Sequence, residues 1–170
     1  MKSGAFDPAK EFGENVTITE RSQLISITPN QAMKIKSLRI ENQRIDFEFS
    51  DFFLSKCSVF YSLYFCNCEI YGCELNMVDY SSKLGCLNCA LTSYLASSVL
   101  GCISRWDYIE TLDLSHNKFG ADAKQFYSWM FHSVFGRVCI GNIILSDNGF
   151  SEEWKRKIVS CFESYTSLIL

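Results

Sequence analysis

The chain has 170 residues, of which 48% are hydrophobic and 21% charged, and its net charge at pH 7 is −3. This length suits one domain with a substantial core, and the slight negative charge excludes nucleic-acid binding through a general basic field. No apolar run reaches the roughly 20 residues that a membrane span requires, so we expect no contact with a membrane.

Residues 1–14 mix glycine, proline, lysine and glutamate without hydrophobic period, which predicts a flexible tail. They contain no hydrophobic segment of the kind found in signal peptides, and the nine cysteines are an odd number. We therefore expect a cytoplasmic protein, with the nucleus as the alternative, whose cysteines are all reduced.

Residues 15–34 are predicted to form an N-terminal capping segment. The β-branched stretches 16–19 (VTIT) and 24–28 (LISIT) favour a hairpin or two short strands. Pro29 and Asn30 then end the second strand, and a helical turn is expected over residues 31–34.

From residue 35 to residue 170, five positions recur with the spacing L-x-x-L-x-L-x-x-N-x-L. The clearest copy, residues 109–120 (IETLDLSHNKFG), has in these five positions Ile109, Leu112, Leu114, Asn117 and Phe119. The other complete copies have in the same positions Ile35, Leu38, Ile40, Gln43 and Ile45; Phe60, Leu63, Phe65, Cys68 and Ile70; Leu84, Leu87, Cys89, Thr92 and Tyr94; and Ile140, Ile143, Leu145, Asn148 and Phe150. A sixth copy begins at Tyr165 and contains Leu168 and Leu170.

Each copy combines a strand and a helix. Alternating hydrophobic residues predict short parallel strands at residues 37–41, 62–66, 86–90, 111–115, 142–146 and 167–170. Hydrophobic stripes with helical period lie between them, most clearly at residues 123–134 and 151–162, where Ser151 is the expected N-cap. The asparagine amide should bond the backbone groups that the tight turn after each strand leaves unpaired.

This pattern resembles leucine-rich repeat proteins, and the stretches LDLSHNKFG and IILSDNGFSEE are similar to the ribonuclease-inhibitor-like class of that family. The resemblance covers about residues 35–170. It implies an α/β solenoid of about six repeats, with a curved parallel sheet on the concave side and helices on the convex side. It also implies binding of other proteins on the concave strand face.

Catalytic and metal chemistry are both disfavoured. Cys66, Cys68, Cys86 and Cys89 have spacings similar to those of zinc ligands. In the repeat frame, however, Cys68 and Cys89 point inward while Cys66 and Cys86 face the concave surface, so the four sulfur atoms would not converge. A thioredoxin-like redox pair is disfavoured because its cysteines would lie in a strand. A triad of His116, Asp113 and Ser115 is disfavoured because neighbours on one strand point to alternate faces. We expect no enzyme activity, no metal, no cofactor and no small-molecule substrate.

The predicted function is that of a non-catalytic protein-binding module, a small subunit or accessory factor of a larger assembly. Tyr61 and Tyr64 are expected together on the concave face, where exposed tyrosines favour interfaces. Leu168 and Leu170 lie on a terminal strand whose edge has no covering element in the sequence, so we expect a partner there too. The full predicted set of partner-binding residues is Arg39, Tyr61, Tyr64, Asn88, Asp113, His116, Ile144, Leu168 and Leu170.

Two alternatives remain open. The first is a factor associated with a ribonucleoprotein such as the ribosome, so nucleic acid is a possible but less favoured partner. Its docking residues would be Lys34, Lys36, Arg39, Arg44 and Lys56. The second and weaker one is a substrate adaptor of a ubiquitin ligase, for which no F-box-like helical region precedes the repeats.

Overall fold

The computed structural model describes residues 15–56, 59–70, 78–135, 137–162 and 167–170. The predicted tail at residues 1–14 and the first position of the sixth copy, Tyr165, lie outside the described residues. The described chain is a mixed α/β structure built on a seven-stranded parallel sheet, as the α/β prediction requires.

All strands run parallel to their neighbours, and the large sheet follows the order of the chain. Its order is β1-β2-β4-β6-β7-β8-β9, while β3 and β5 pair separately in a two-stranded sheet. The strands are β1 (Asn15–Ile18), β2 (Ser37–Glu41), β3 (Arg44–Ile45), β4 (Val59–Cys66), β5 (Glu69–Ile70), β6 (Tyr80–Leu87), β7 (Tyr108–Asp113), β8 (Cys139–Ile144) and β9 (Ser167–Ile169).

Helices connect the strands and pack against one face of the sheet. The α-helices are α1 (Arg21–Ser26), α2 (Pro29–Ala32), α3 (Phe47–Ser55), α4 (Ser93–Val99), α5 (Ala123–Trp129) and α6 (Glu152–Phe162). Short 3-10 helices span Gly101–Arg105 and Phe119–Asp122, and a π-helix continues α5 over Met130–Phe135. Ser151 accepts a hydrogen bond from the Trp154 amide at the start of α6, which agrees with its predicted role as N-cap.

One row of apolar residues crosses the sheet and forms the centre of the core. Register pairing aligns Leu38 with Leu63, then Leu63 with Leu84, and the row continues through Leu112, Ile143 and Leu168. Its first five members are almost fully buried against helix residues such as Phe49 and Phe126. The row passes through five of the six predicted strand positions, 37–41, 62–66, 111–115, 142–146 and 167–170.

The third predicted strand, at residues 86–90, is wrong by three residues. The strand is β6, in which Leu84 rather than Leu87 takes the central core position. Thr92 is not the turn residue of this copy, because it caps α4 by accepting a hydrogen bond from the Leu95 amide. Tyr94, predicted in a core position, is 71% exposed on α4. Ser81 takes the first position of this copy, equivalent to Phe60 in the copy before it. Because Ser81 is polar although it is buried, the hydrophobic pattern of the sequence does not reveal the correct spacing of this copy.

Of the two strands predicted within residues 15–34, the structure contains the first and not the second. Residues 16–19 contribute β1, which pairs in parallel with β2 and adds a strand to those that the repeat frame predicts. The predicted strand at residues 24–28 is wrong, since α1 occupies most of it. The Gln23 side-chain oxygen accepts hydrogen bonds from the amides of Thr19 and Glu20, at 2.7 Å and 2.9 Å. These bonds fix the start of the helix and outweigh the strand preference of the isoleucines. The helical turn predicted at residues 31–34 begins earlier, at Pro29.

A column of side chains holds the turns after the strands, and its members from Cys68 to Asn148 are buried. The Asn117 oxygen accepts hydrogen bonds from the amides of Cys89 and Leu91, and its nitrogen donates to three carbonyls, those of Cys86, Leu114 and Ser115. The equivalent residues Gln43, Cys68, Cys89 and Asn148 donate to carbonyls in the same way. Glutamine and cysteine therefore substitute for asparagine as donors, because each can reach both its own turn and the preceding one.

Candidate functional site

The face of the large sheet opposite the helices is called the outer face below. Two rows of side chains cross it, one residue before and one residue after the core row in each strand, because successive side chains of a strand point to opposite faces. The first row consists of Ser37, Ser62, Lys83, Thr111, Asn142 and Ser167. The second consists of Thr17, Arg39, Tyr64, Gly85, Asp113, Ile144 and Ile169.

The Tyr64 ring lies over Gly85 of the neighbouring strand. A β-carbon at Gly85 would stand 2.3 Å from one ring carbon of Tyr64, which is closer than any real contact. The absence of a side chain at Gly85 therefore creates the space that the ring occupies. Burial raises the pKa of the Tyr64 hydroxyl, and the negative charge of Asp113 raises that pKa further. The hydroxyl is consequently protonated at neutral pH.

Tyr61, Lys83 and Glu110 form a charged cluster beside Tyr64. The Lys83 ammonium lies 5.0 Å from the centre of the Tyr61 ring and 3.1 Å from a Glu110 carboxylate oxygen. Hydrogen bonds with Tyr61 and Glu110 raise the pKa of Lys83, so its charge is fixed. Ser82 donates a hydrogen bond to the other Glu110 oxygen. Tyr61 remains 52% exposed and presents its ring to solvent.

Arg39 and Glu41 form an ion pair at one side of this face. The hydrogen bond to Glu41 raises the pKa of Arg39, so the guanidinium remains charged. On the opposite side, Ile144 is half-buried in the row next to Asp113. The outer face therefore alternates between fixed charges and apolar or aromatic side chains.

A ladder of polar side chains borders the outer face where the strands end. Five residues at equivalent turns have a positive φ between 51° and 57°: Asn42, Asn67, Asn88, His116 and Asp147. The Asn88 amide donates to the Asn67 side-chain oxygen at 2.8 Å, and Asn67 donates to Asn42 at 3.2 Å. His116 Nδ1 lies 3.3 Å from an Asp147 oxygen.

Sequence reasoning missed this ladder except for Asn88 and His116. Asparagine and aspartate adopt the left-handed conformation more readily than other residues that carry a β-carbon. The signal that could have found it is the residue directly before each turn-column residue, which is asparagine in three copies.

A pocket of about 350 Å³ lies between the outer face and the ladder. Its lining combines a cation, polar amides and apolar groups: Arg39, Cys66, Asn67, Leu87, Asn88 and His116. Three of the predicted partner-binding residues therefore meet in one recess.

The structure brings together most of the predicted partner-binding residues. Arg39, Tyr64, Asp113 and Ile144 share one row, and Tyr61 stands beside Lys83 on the same face. Leu168 and Leu170 do not join them, because both are half-buried and pack against the core. Whether any of these residues contacts a partner stays a prediction.

Two of the basic residues predicted for ribonucleoprotein docking lie on opposite sides of the sheet. Arg39 lies on the outer face, whereas the Lys56 ammonium lies over the Phe52 ring and donates to the Ile27 carbonyl at 2.9 Å on the helix side. The sheet separates these two cations.

The described cysteines are free thiols, and five of the seven are buried. Cys86, predicted on the concave surface, instead points into the core at the position that Ile40 and Phe65 occupy in their strands. Burial raises the pKa of Cys89 and of Cys102 to about 12. These thiols are therefore protonated at neutral pH and pack as small apolar groups. Within the described ranges, no three histidine, cysteine or acidic residues are grouped so that they could hold a metal ion.

Within the part of the chain that the structure describes, no helix has both the length and the apolar character needed to cross a membrane. Comparisons with protein-family models, with curated proteins and with solved structures found no match to this chain.

Proposed function

We propose that this chain is a leucine-rich repeat solenoid that binds another protein through the outer face of its sheet. Two observations support the solenoid. Parallel strands follow chain order, and the column Gln43, Cys68, Cys89, Asn117 and Asn148 recurs turn after turn. In this proposal the outer face is the concave side, and the chain is a non-catalytic subunit or accessory factor of an assembly.

The observation that carries the proposal is the composition of the outer face around Tyr61 and Tyr64. Helices cover the opposite face of the sheet, while this one presents an exposed tyrosine ring fixed by Lys83 and a second ring seated on Gly85. Rigid aromatic side chains lose little conformational entropy on binding and are frequent anchors of interfaces. Their alternation with ion pairs supplies the polar contacts that give such interfaces specificity.

We place the interface on the outer face rather than at Leu168 and Leu170, because these two leucines already pack partly against the core. The exposed residues of β9 are Ser167 and Ile169, and both belong to the rows of the outer face.

Affinity purification from cells that express the chain natively tests this proposal when the wild type is compared with two variants. Tyr61→Ala with Ile144→Ala removes two side chains of the outer face, and Tyr94→Ala removes an exposed tyrosine from helix α4 as the matched control. We expect wild type and Tyr94→Ala to recover the same protein, and the outer-face variant to recover at least about tenfold less, since two interface side chains are lost.

Equal recovery by all three proteins would contradict the proposal. The ribonucleoprotein alternative would instead be supported if all three proteins recovered ribonucleoprotein particles equally and if that binding weakened steeply with added salt.

A further inference from the structure

Asp113 is a carboxylate on the outer face to which no described cation is ion-paired. It ends strand β7, is 9% exposed, and accepts one hydrogen bond, from the Ser115 amide to its Oδ1 atom at 3.0 Å. Among the described residues, the structure pairs it with no lysine, arginine or histidine.

Three other carboxylates of the outer face and the ladder are paired with cations. Glu41 contacts Arg39, Glu110 contacts Lys83 at 3.1 Å, and Asp147 contacts His116 at 3.3 Å. Arg39, Lys83 and His116 are therefore held by other acids. Asp113 is also the most buried of these four carboxylates, although burial makes an unpaired charge more costly.

The surroundings of Asp113 suit the side chain of a lysine or an arginine. On one side its register partner is Gly85, over which the Tyr64 ring lies, and on the other side its partner is Ile144. Adjacent strands are about 4.8 Å apart, so the ring and the isoleucine form two walls beside the carboxylate. The methylene stem of a long cationic side chain packs on such walls while its charged end meets the carboxylate. The Tyr64 ring would add a cation–π contact.

We propose that Asp113 receives a lysine or arginine side chain from the protein partner. This inference rests on the proposed function and specifies the chemistry of the partner: a segment that presents at least one cationic side chain to the middle of the sheet. The carboxylate oxygen that does not bond Ser115 accepts the hydrogen bond from the incoming cation.

Nuclear magnetic resonance titration of the full chain with small probes tests the inference without knowledge of the partner. The probes are N-acetyl-arginine amide, N-acetyl-lysine amide and N-acetyl-citrulline amide, the last being a neutral analogue of arginine. We expect saturable shifts of the Ser115 and Gly85 amide signals with the two cationic probes. Binding of citrulline should be at least about fivefold weaker, as the loss of one partly buried ion pair predicts.

Two variants locate the binding. Asp113→Asn keeps the oxygen that accepts from Ser115 and removes the charge, so it should bind the cationic probes at least about fivefold more weakly. Asp147→Asn neutralises an exposed carboxylate of the ladder and should leave the titration unchanged. Should Asp113→Asn fail to fold, the comparison of arginine with citrulline in the wild-type chain still decides.

Equal shifts with citrulline and arginine, or unchanged binding in Asp113→Asn, would overturn the inference. Its failure is distinguishable from failure of the proposed function. A partner that attaches to the outer face but binds Asp113→Asn as tightly as wild type would refute the cationic contact alone. A partner that attaches to the helix side would refute the proposed function.

Discussion

Replacement of Asn117 by alanine tests the column of turn-holding side chains, and Asn148→Ala provides the matched control. Both asparagines are almost fully buried at equivalent positions, and both donate to three backbone carbonyls. They differ at the oxygen atom. The Asn117 oxygen accepts two amide hydrogen bonds, whereas the Asn148 oxygen is buried without a partner in the described structure.

The expected magnitudes follow from this difference. A hydrogen bond of this kind contributes about 1 kcal/mol net, and a buried group left unpaired costs about 1–3 kcal/mol. Asn148→Ala should therefore lower the free energy of unfolding by about 2 kcal/mol. Asn117→Ala also leaves the amides of Cys89 and Leu91 without their acceptor, so it should lower that free energy by about 4 kcal/mol.

Urea unfolding monitored by circular dichroism and by tryptophan fluorescence measures both variants. The two signals must change together, because chains built from repeated units do not always unfold in one step. An Asn117→Ala loss equal to or smaller than that of Asn148→Ala would refute the role assigned to the two amide bonds.

Three further predictions concern thiols and the packing of Tyr64. Alkylation of the native protein should label the exposed Cys139 and the half-buried Cys161 rapidly, and alkylation after unfolding without reductant should label all nine cysteines; protected pairs would contradict the expectation of reduced thiols. Burial raises the pKa of the Cys102 thiol to about 12, so the unfolded state loses this proton at a lower pH than the folded state, and the free energy of unfolding falls as the pH rises from about 9 to 12. Cys102→Ala should therefore remove about 1 kcal/mol of the decrease measured between pH 8 and pH 10, and an unchanged decrease would refute the assignment. Gly85→Ala should lower the melting temperature because its β-carbon would collide with the Tyr64 ring and would also stand 2.7 Å from a methyl carbon of Leu87. Tyr64→Ala should relieve part of that effect in the double variant, and strictly additive losses would show that Tyr64 does not contribute to the collision.

The sequence predicted the fold best where one copy repeats another without interruption. Leu112 and Leu114 alternate toward the core and Asn117 follows at the expected spacing, so strand and turn were both located. The third copy failed because the buried Ser81 replaces a hydrophobic residue and Leu87, on the other face, offers a false alternative. In the segment 24–28, local capping by Gln23 decided between helix and strand, and a β-branched composition alone does not reveal it.

The sequence predicted which residues of the candidate site lie on the outer face, but it did not predict the contacts between their side chains. Alternation along a strand places Tyr64 and Asp113 on the outer face. The seating of the Tyr64 ring on Gly85 and the pairing of Lys83 with Glu110 depend on register between strands that lie more than 20 residues apart in the chain. Since the frame of the third copy was wrong, neither contact could be derived from the sequence.

The most direct test of binding through the outer face is site-specific photocrosslinking in native cells. A photoreactive phenylalanine analogue is placed at Tyr61 in one variant and at Tyr94, on helix α4, in the other; both positions are exposed and both replace a tyrosine. The proposal predicts that the variant labelled at position 61 forms a covalent adduct with a single partner protein, and that the variant labelled at position 94 assembles but does not crosslink. Crosslinking from position 94 with none from position 61 would contradict it.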